Sequence, residues 1–373
     1  MHGAKSCGDR LSPPADGREQ PLCRGRAHCP SSAASRCVEA IAYEMTSLTA
    51  LSKSLPPVSV VHPRGEAGAF ETTLALVYGG RATVEVHYEF AGSADAPLLV
   101  VAGGISAGRH VLANSADPAP GWWQSQAAAF SGYRVVAIDW IGGDGSLDAP
   151  IDAGDQAAAL LALFDRLGIV GAAAFIGSSY GAMMGMQGVA LAPHRFGALL
   201  AISASASAHP FTSAQRALQR QAIELGERLG DPVTGVALAR KIAMLSYRTA
   251  EEFEERFPDP VTVANGRATV PAEPYLDAQG ERHCRRMTSV AYRRLSESID
   301  LHAIDPAAIT VPATFVAVDS DRLIPSPDIR ALAERAPDGR FVSLTSLFGH
   351  DAFLKEDRLV ARIIDDFLQE LSQ

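Results

Sequence analysis

Cysteine is scarce in most of this sequence. Only Cys284 lies beyond residue 37, which excludes a disulfide-stabilised fold for nearly the whole chain and suits a reducing cytoplasm. The other four stand 16, 6 and 8 residues apart, without the close pairs that zinc sites use (Cys7, Cys23, Cys29 and Cys37). We therefore expect a cytoplasmic protein that needs no metal and no prosthetic group.

Long apolar runs and an excess of positive charge are also missing. No stretch of 18 apolar residues occurs, so no transmembrane helix is expected. The formal net charge of -9 argues against binding to nucleic acid or to an anionic membrane surface. The chain has 373 residues, of which 47% are hydrophobic and 20% are charged. This length and composition suffice for one large globular core.

The first 45 residues differ from the rest of the chain. They are rich in Gly, Pro, Ser, Arg and Cys and show neither a helical nor a strand period. Met45 then begins the sequence MTSL, which is typical of a bacterial N-terminus. We interpret residues 1–45 as a disordered tail or as an extension upstream of the true start, and residues 46–373 as one folded domain.

From about residue 68 the chain alternates between predicted strands and helices. Residues 83–90 alternate with period two, as expected of a half-exposed antiparallel edge strand. The later strands are short apolar runs typical of strands buried on both faces, at 98–102, 133–139, 172–176, 198–202, 313–318 and 341–344. Amphipathic helices are predicted at 155–167 and 356–371. The alternation predicts an α/β fold with a mostly parallel central sheet and helices on both faces.

Between about residues 205 and 303 the alternation stops and helices dominate. They are predicted at 213–229, 235–247, 251–257 and 279–299, with no buried strand among them. We interpret this segment as a helical lid that is inserted over the carboxyl edge of the sheet.

A tight turn between a predicted strand and a predicted helix carries the pattern G-x-S-x-G, formed by Gly177, Ser179 and Gly181. Such a turn holds its serine in a strained conformation above a parallel sheet, and it needs glycines because a Cβ would collide with the neighbouring backbone. The bare pattern is weak evidence, since small residues are common in this region. Ser179 is our candidate nucleophile.

A nucleophilic serine needs a base, and the base needs an orienting acid. Asp321 follows the strand at 313–318 and His350 follows the strand at 341–344. Asp319 competes for the role of the acid, but it ends its strand, whereas Asp321 lies in the loop beyond. Each residue by itself is compatible with an ordinary turn. Their joint order, Ser then Asp then His, predicts an α/β-hydrolase fold with Ser179, Asp321 and His350 as its catalytic triad.

The transition state of acyl transfer also needs donors for a developing oxyanion. The amide of Tyr180, directly after the nucleophile, is the first candidate. The second comes from the Gly-rich loop after the strand at 98–102, where we favour the amide of Ile105 over that of Gly104. The glycines of this loop are also explained by an ordinary tight turn, and that interpretation does not exclude a role of the loop as an oxyanion donor.

Several motifs resemble those of the homoserine O-acyltransferase family, a branch of the α/β hydrolases. The resemblance covers about residues 80–370. Its motifs are GWW at 121–123, GSSYGAM at 177–183, LSYRT at 245–249 with EFEERF at 252–257, YLDAQG at 275–280, DSDRL at 319–323 and GHDAFL at 349–354.

The resemblance implies transfer of an acyl group from acyl-CoA, a co-substrate, to the hydroxyl of L-homoserine in methionine biosynthesis. Ser179 is then acylated first and His350 serves both half-reactions. Arg248 matches the family's arginine for the substrate carboxylate, and Asp351 matches an acidic residue suited to the substrate ammonium. A lid salt bridge for Arg248 and a helix N-cap for Asp351 stay open as alternatives. The family also implies a homodimer formed through the lid helices.

The acyl donor and the acceptor stay open. By the resemblance, a leucine at position 323 weakly favours an acetyl donor. Arg322 and Arg109 are basic candidates that could bind the carboxylate of a succinyl group instead. The alternative acceptor is L-serine, and the alternative function is that of a serine esterase or thioesterase on the same triad.

Overall fold

The computed structural model describes residues 66–371. The predicted boundary at residue 45 and the interpretation of residues 1–45 lie outside the described residues.

An eight-stranded sheet forms the core of the described part. Its strands are β1 (Ala67–Leu76), β2 (Gly80–Ala91), β3 (Leu98–Ala102), β4 (Arg134–Ile138), β5 (Ala174–Ser178), β6 (Leu199–Ile202), β9 (Ala313–Val318) and β10 (Gly339–Leu344). A small hairpin supplies β7 (Thr262–Ala264) and β8 (Arg267–Thr269).

The strands of the large sheet lie in the order β1-β2-β4-β3-β5-β6-β9-β10. β1 and β2 are antiparallel to each other, β2 is antiparallel to β4, and every later pair is parallel. All residues of β3, β4, β5, β6 and β9 are buried, because helices cover both faces of a parallel sheet. The mostly parallel sheet and its antiparallel edge are confirmed, and the carboxyl ends of β5, β9 and β10 meet at one edge.

Helices connect the parallel strands. The connecting helices are α1 (Ala153–Leu167), α2 (Tyr180–Leu191) and α8 (Ser326–Arg335), and the last strand is followed by α9 (Ala352–Lys355) and α10 (Asp357–Leu371). α1 begins two residues before its predicted start because Asp152 and Asp155 form a capping box, in which each side chain accepts a hydrogen bond from the other's backbone amide. It ends at Gly168, which adopts a left-handed conformation.

The helical insertion lies between β6 and β9. It consists of α3 (Pro210–Arg228), α4 (Pro232–Tyr247), α5 (Ala250–Arg256), α6 (Glu273–Cys284) and α7 (Ser289–Leu301). The single helix predicted at 279–299 is divided, because Thr288 caps the start of α7 with its side-chain oxygen. The hairpin of β7 and β8 is an addition to the prediction. Its turn, Asn265-Gly266, has positive φ at both residues, as two-residue hairpin turns require.

None of the helices in the described part of the chain combines the length and the apolar character needed to cross a membrane.

Candidate active site

Ser179 sits on the turn between β5 and α2. Its φ of 54° and ψ of -119° are strained for a residue with a side chain. The flanking glycines permit this turn. A Cβ on Gly177 would lie 2.5 Å from the Gly181 carbonyl oxygen, and one on Gly181 would lie 2.2 Å from the Ala102 carbonyl oxygen. The sequence pattern therefore has the steric basis that was predicted for it.

His350 connects the serine to an acid. Its Nε2 lies 2.8 Å from Ser179 Oγ, and its Nδ1 lies 2.7 Å from Asp321 Oδ2. Because a carboxylate only accepts hydrogen bonds, Nδ1 carries the proton and Nε2 accepts from the serine hydroxyl. The other oxygen of Asp321 accepts from the amides of Leu323 and Ile324, at 2.8 and 3.1 Å, which fixes the carboxylate in place. The structure thus brings together the three residues of the predicted triad, and both His350 and Asp321 are buried.

Asp319 lies elsewhere. Its carboxylate accepts hydrogen bonds from the hydroxyl of Ser343 in β10 and, at 2.8 Å, from that of Thr345 just beyond the end of this strand. The structure therefore places Asp321, rather than its competitor, against the histidine.

The surroundings of His350 favour its charged form. Burial opposes the charge, but the hydrogen bond and the negative charge of Asp321, together with the charge of Asp351, outweigh burial and raise the pKa of His350. A base with this property holds a proton firmly once it has taken it from the serine.

The proposed oxyanion donors lie on two joined loops. The Gly181 amide donates to the Gly103 carbonyl oxygen at 2.8 Å, which fixes the nucleophile turn against the loop that follows β3. Within residues 66–371, the amides of Tyr180, Ile105 and Gly104 have no backbone acceptor, so the choice between Ile105 and Gly104 stays a prediction.

Arg248 is occupied by other residues of the protein. Its Nη1 lies 2.6 Å from Glu252 Oε1 and its Nη2 lies 3.1 Å from Asp351 Oδ2. All three side chains are mostly buried, with 9%, 5% and 17% of their surface exposed. The geometry matches the salt bridge that the sequence left open as the alternative, and Arg248 holds Asp351 in place.

Asp351 lies beside His350 at the start of α9. It occupies the N-cap position of α9, but its side chain makes no capping hydrogen bond within the described residues, so capping does not account for this carboxylate. Burial raises the pKa of Asp351, and the positive charges of Arg248, His350 and Arg240 oppose this shift. A partly desolvated carboxylate at this place is suited to a cation.

A second arginine faces the site, and the sequence analysis missed it. The guanidinium of Arg240 lies 5.2 Å from the centre of the Tyr247 ring, and that ring stacks on His350 at 6.0 Å. Within the described part of the chain Arg240 has no carboxylate partner. The signal was present in the sequence, because residues seven apart on a helix share a face and Arg240 precedes Tyr247 by seven.

Arg240 also lines a cavity of about 430 Å³. The cavity lies beside the loop that carries Ile105 and is closed on another side by α6. Arg109, a predicted cation for a succinyl group, lines the same cavity but is paired with Asp139. Arg322, the other predicted cation, is exposed to solvent.

The sheet, the strained serine turn and the Ser-His-Asp arrangement define an α/β hydrolase. The family described by the alpha/beta hydrolase fold matches residues 97–357. A solved homoserine O-acetyltransferase from Staphylococcus aureus superposes with a TM-score of 0.70 at 22% identity, covering 81% of this chain and 94% of its own. A solved esterase reaches a TM-score of 0.73 at 19% identity, covering 81% of this chain and 99% of its own. These likenesses bear on the fold.

Sequence relatives narrow the class. The homoserine O-succinyltransferase of Xanthomonas campestris pv. campestris is 46% identical over 321 residues, which are 84% of this chain and 87% of the relative. The homoserine O-acetyltransferase of Thermus thermophilus is 34% identical over 283 residues, 66% and 72% of the two chains. The serine O-succinyltransferase of Stenotrophomonas maltophilia is 29% identical over 372 residues, 86% and 100%. This chain belongs to the homoserine O-acyltransferase family, and the resemblance predicted from its motifs is confirmed.

Proposed function

We propose that this protein is an L-homoserine O-acyltransferase of methionine biosynthesis, which moves an acetyl or succinyl group from acyl-CoA through an acyl-enzyme on Ser179. The observation that carries the proposal is the position of His350. It contacts the nucleophile and the acid, and its ring stacks on Tyr247, over which the Arg240 guanidinium lies. The mostly buried carboxylate of Asp351 follows His350 directly in the chain. A nucleophile beside groups of both charges suits an amino-acid acceptor. The names of the relatives support the same reaction.

In the first half-reaction, Ser179 Oγ attacks the thioester carbonyl carbon of acyl-CoA while its proton passes to His350 Nε2. The carbonyl oxygen gains charge, and the amides of Tyr180 and Ile105 donate to it. The carbon–sulfur bond then breaks, and the thiolate of CoA leaves with the proton from His350. Asp321 stabilises the charged imidazole between these two steps.

In the second half-reaction, the homoserine hydroxyl gives its proton to His350 Nε2 and attacks the ester carbon. The bond to Ser179 Oγ breaks, and the serine recovers its proton from His350. Asp351 holds the ammonium of homoserine, and Arg240 holds its carboxylate. Arg248 acts as a positioning residue in this proposal, because its guanidinium is already paired with Asp351 and Glu252.

The helical insertion limits the access of water in this proposal. Thr249, at the start of α5, donates a hydrogen bond to the Leu347 carbonyl oxygen at 2.6 Å, and Tyr247 covers one face of His350. The insertion therefore contacts the base directly. A transferase needs such a cover because water competes with the acceptor for the acyl-enzyme.

Dimerisation through the insertion is also part of the proposal. Phe211, Leu218 and Leu225 recur every seven residues along α3 and are exposed. Their spacing places them on one face of the helix, where they would be covered by a second copy. A monomeric mass by light scattering would contradict this. The cytoplasmic location predicted from cysteine usage belongs to the same proposal.

L-Serine is the second candidate acceptor, favoured by the likeness to a serine O-succinyltransferase. The two acceptors differ by one methylene, so the charges of Asp351 and Arg240 suit both. Release of CoA should therefore be measured with acetyl-CoA and succinyl-CoA, each with homoserine, serine or water as acceptor. Rapid release with homoserine and slow release with water are expected.

Ser179→Ala should abolish release of CoA with every pair of substrates, and near-normal turnover would refute the assignment of the nucleophile. Arg240→Met should raise the KM for homoserine and leave formation of the acyl-enzyme intact. Equal rates with water and homoserine in the wild type would identify a hydrolase instead.

A further inference from the structure

The cavity beside Ile105 has an excess of positive charge. Arg240, Arg282 and Arg286 line it, and within residues 66–371 none of them forms an ion pair. The acidic side chains of the cavity are engaged by neighbours, Asp139 by Arg109, Glu85 by His87 and Asp144 by Ser146. The cavity is therefore complementary to an anion, and its volume of about 430 Å³ lies in the range of small-molecule sites.

His283 lines the same cavity with a largely buried imidazole. Only 8% of its surface is exposed, and its Nε2 has no hydrogen-bond partner in the described part of the chain. Burial, with the charges of Arg240 and Arg286, lowers the pKa of His283 to about 3, so the ring is neutral at pH 7. A buried polar atom without a partner is costly unless a ligand provides one. In the tautomer that carries its proton on Nε2, a neutral imidazole donates a hydrogen bond to an anionic oxygen.

The cavity also borders the loop that carries the proposed oxyanion donor. Ile105, whose amide we assign to the oxyanion, is one of its lining residues. An acyl group whose carbonyl oxygen accepts from this amide would therefore lie within reach of a residue that lines the cavity. An acetyl group would bring no charge to the cavity, whereas a succinyl group ends in a carboxylate.

We propose that His283 and Arg286 bind the terminal carboxylate of a succinyl group, so that succinyl-CoA is the preferred acyl donor. This rests on the proposed acyltransferase function and leaves Arg240 to the acceptor. It differs from the expectation of an acetyl donor, which the resemblance suggested from Leu323. Leu323 is buried, and its amide donates to Asp321, so it acts in holding the acid.

The test uses His283→Phe, Arg286→Gln and the double variant. Phenylalanine keeps the edge-on packing of residue 283 against the Tyr292 ring. Arg285→Gln is the matched control, because Arg285 is exposed in the same turn but does not line the cavity. Each protein is assayed for kcat/KM with succinyl-CoA and acetyl-CoA and with the succinyl and acetyl thioesters of N-acetylcysteamine, which carry no phosphates.

The wild type should prefer the succinyl member of each pair. The double variant should lose roughly 10- to 100-fold in kcat/KM for both succinyl donors, the effect of lost hydrogen bonds to a charged group. It should stay within about twofold for both acetyl donors, and Arg285→Gln should stay within about twofold for all four. Arg286→Gln alone should show the same selective loss, so the test survives misfolding of the His283 variant.

Three outcomes would overturn the proposal. An equal loss for both CoA donors without loss for the small thioesters would assign the cavity to the phosphates of CoA. A rise in the KM for homoserine alone would assign it to the acceptor. A wild-type preference for acetyl donors, with transfer still dependent on Ser179, would reject the succinyl subsite while the proposed function stands.

Discussion

The role of Arg248 offers the sharpest test of the site, because the motif and the geometry give different answers. The motif makes Arg248 a ligand for the substrate carboxylate. The structure places its guanidinium 2.6 Å from Glu252 and 3.1 Å from Asp351, with little exposure of any of the three side chains. We therefore expect Arg248→Met to act first on stability and only indirectly on binding.

The size of the effect follows from the partners left behind. Removing one member of a buried ion pair costs about 3–5 kcal/mol, because the other charge stays buried without compensation. Glu252 retains Arg256 at 3.2 Å, whereas Asp351 loses the guanidinium that opposes the rise of its pKa. We expect a loss of about 3 kcal/mol in the free energy of unfolding, at the lower end of that range.

The test measures the free energy of unfolding in urea and the steady-state KM for homoserine on the same preparations of Arg248→Met and the wild type. Arg240→Met is the matched variant, because it removes a guanidinium that has no carboxylate partner in the described residues. It should keep its stability within about 0.5 kcal/mol and raise the KM for homoserine. The reasoning would be refuted if Arg248→Met kept the stability of the wild type and raised only that KM.

Three further predictions concern the triad and its turn. Asp321→Asn should lower kcat/KM by roughly 10²- to 10⁴-fold, and Asp319→Asn should stay within about twofold of the wild type; similar losses in both would contradict the assigned acid. Release of CoA by the wild type should rise with pH about a midpoint above 6.5, since His350 must be neutral to accept a proton and its pKa is raised; a midpoint at or below 6.5 would contradict this. Gly181→Ala should lower the melting temperature strongly, because its Cβ would lie 2.2 Å from a carbonyl oxygen, whereas Gly104→Ala, with its nearest neighbour at 3.9 Å, should not; equal melting temperatures would argue against the steric reasoning.

Much of the fold was predictable because its signals are local. Strands buried on both faces of a parallel sheet are continuous apolar runs, and they stand out from amphipathic helices of longer period. The division between α6 and α7 was missed because the cap at Thr288 is a single residue within a helical pattern. The hairpin around Asn265 was missed because its strands are three residues long and exposed, and carry no burial pattern.

The sequence by itself determined the place of Ser179, Asp321 and His350, since each follows its own parallel strand and the carboxyl ends of those strands meet at one edge. Chain order and strand direction suffice for that. Only the tertiary structure shows what Arg248 and Arg240 contact, because the two arginines are eight residues apart at one helix and differ in what the fold brings next to them. Glu252 and Asp351 neutralise the first, whereas the second faces an aromatic ring and a cavity. The sequence gives the charge of a side chain, but whether that charge is available to a substrate depends on neighbours that are distant along the chain.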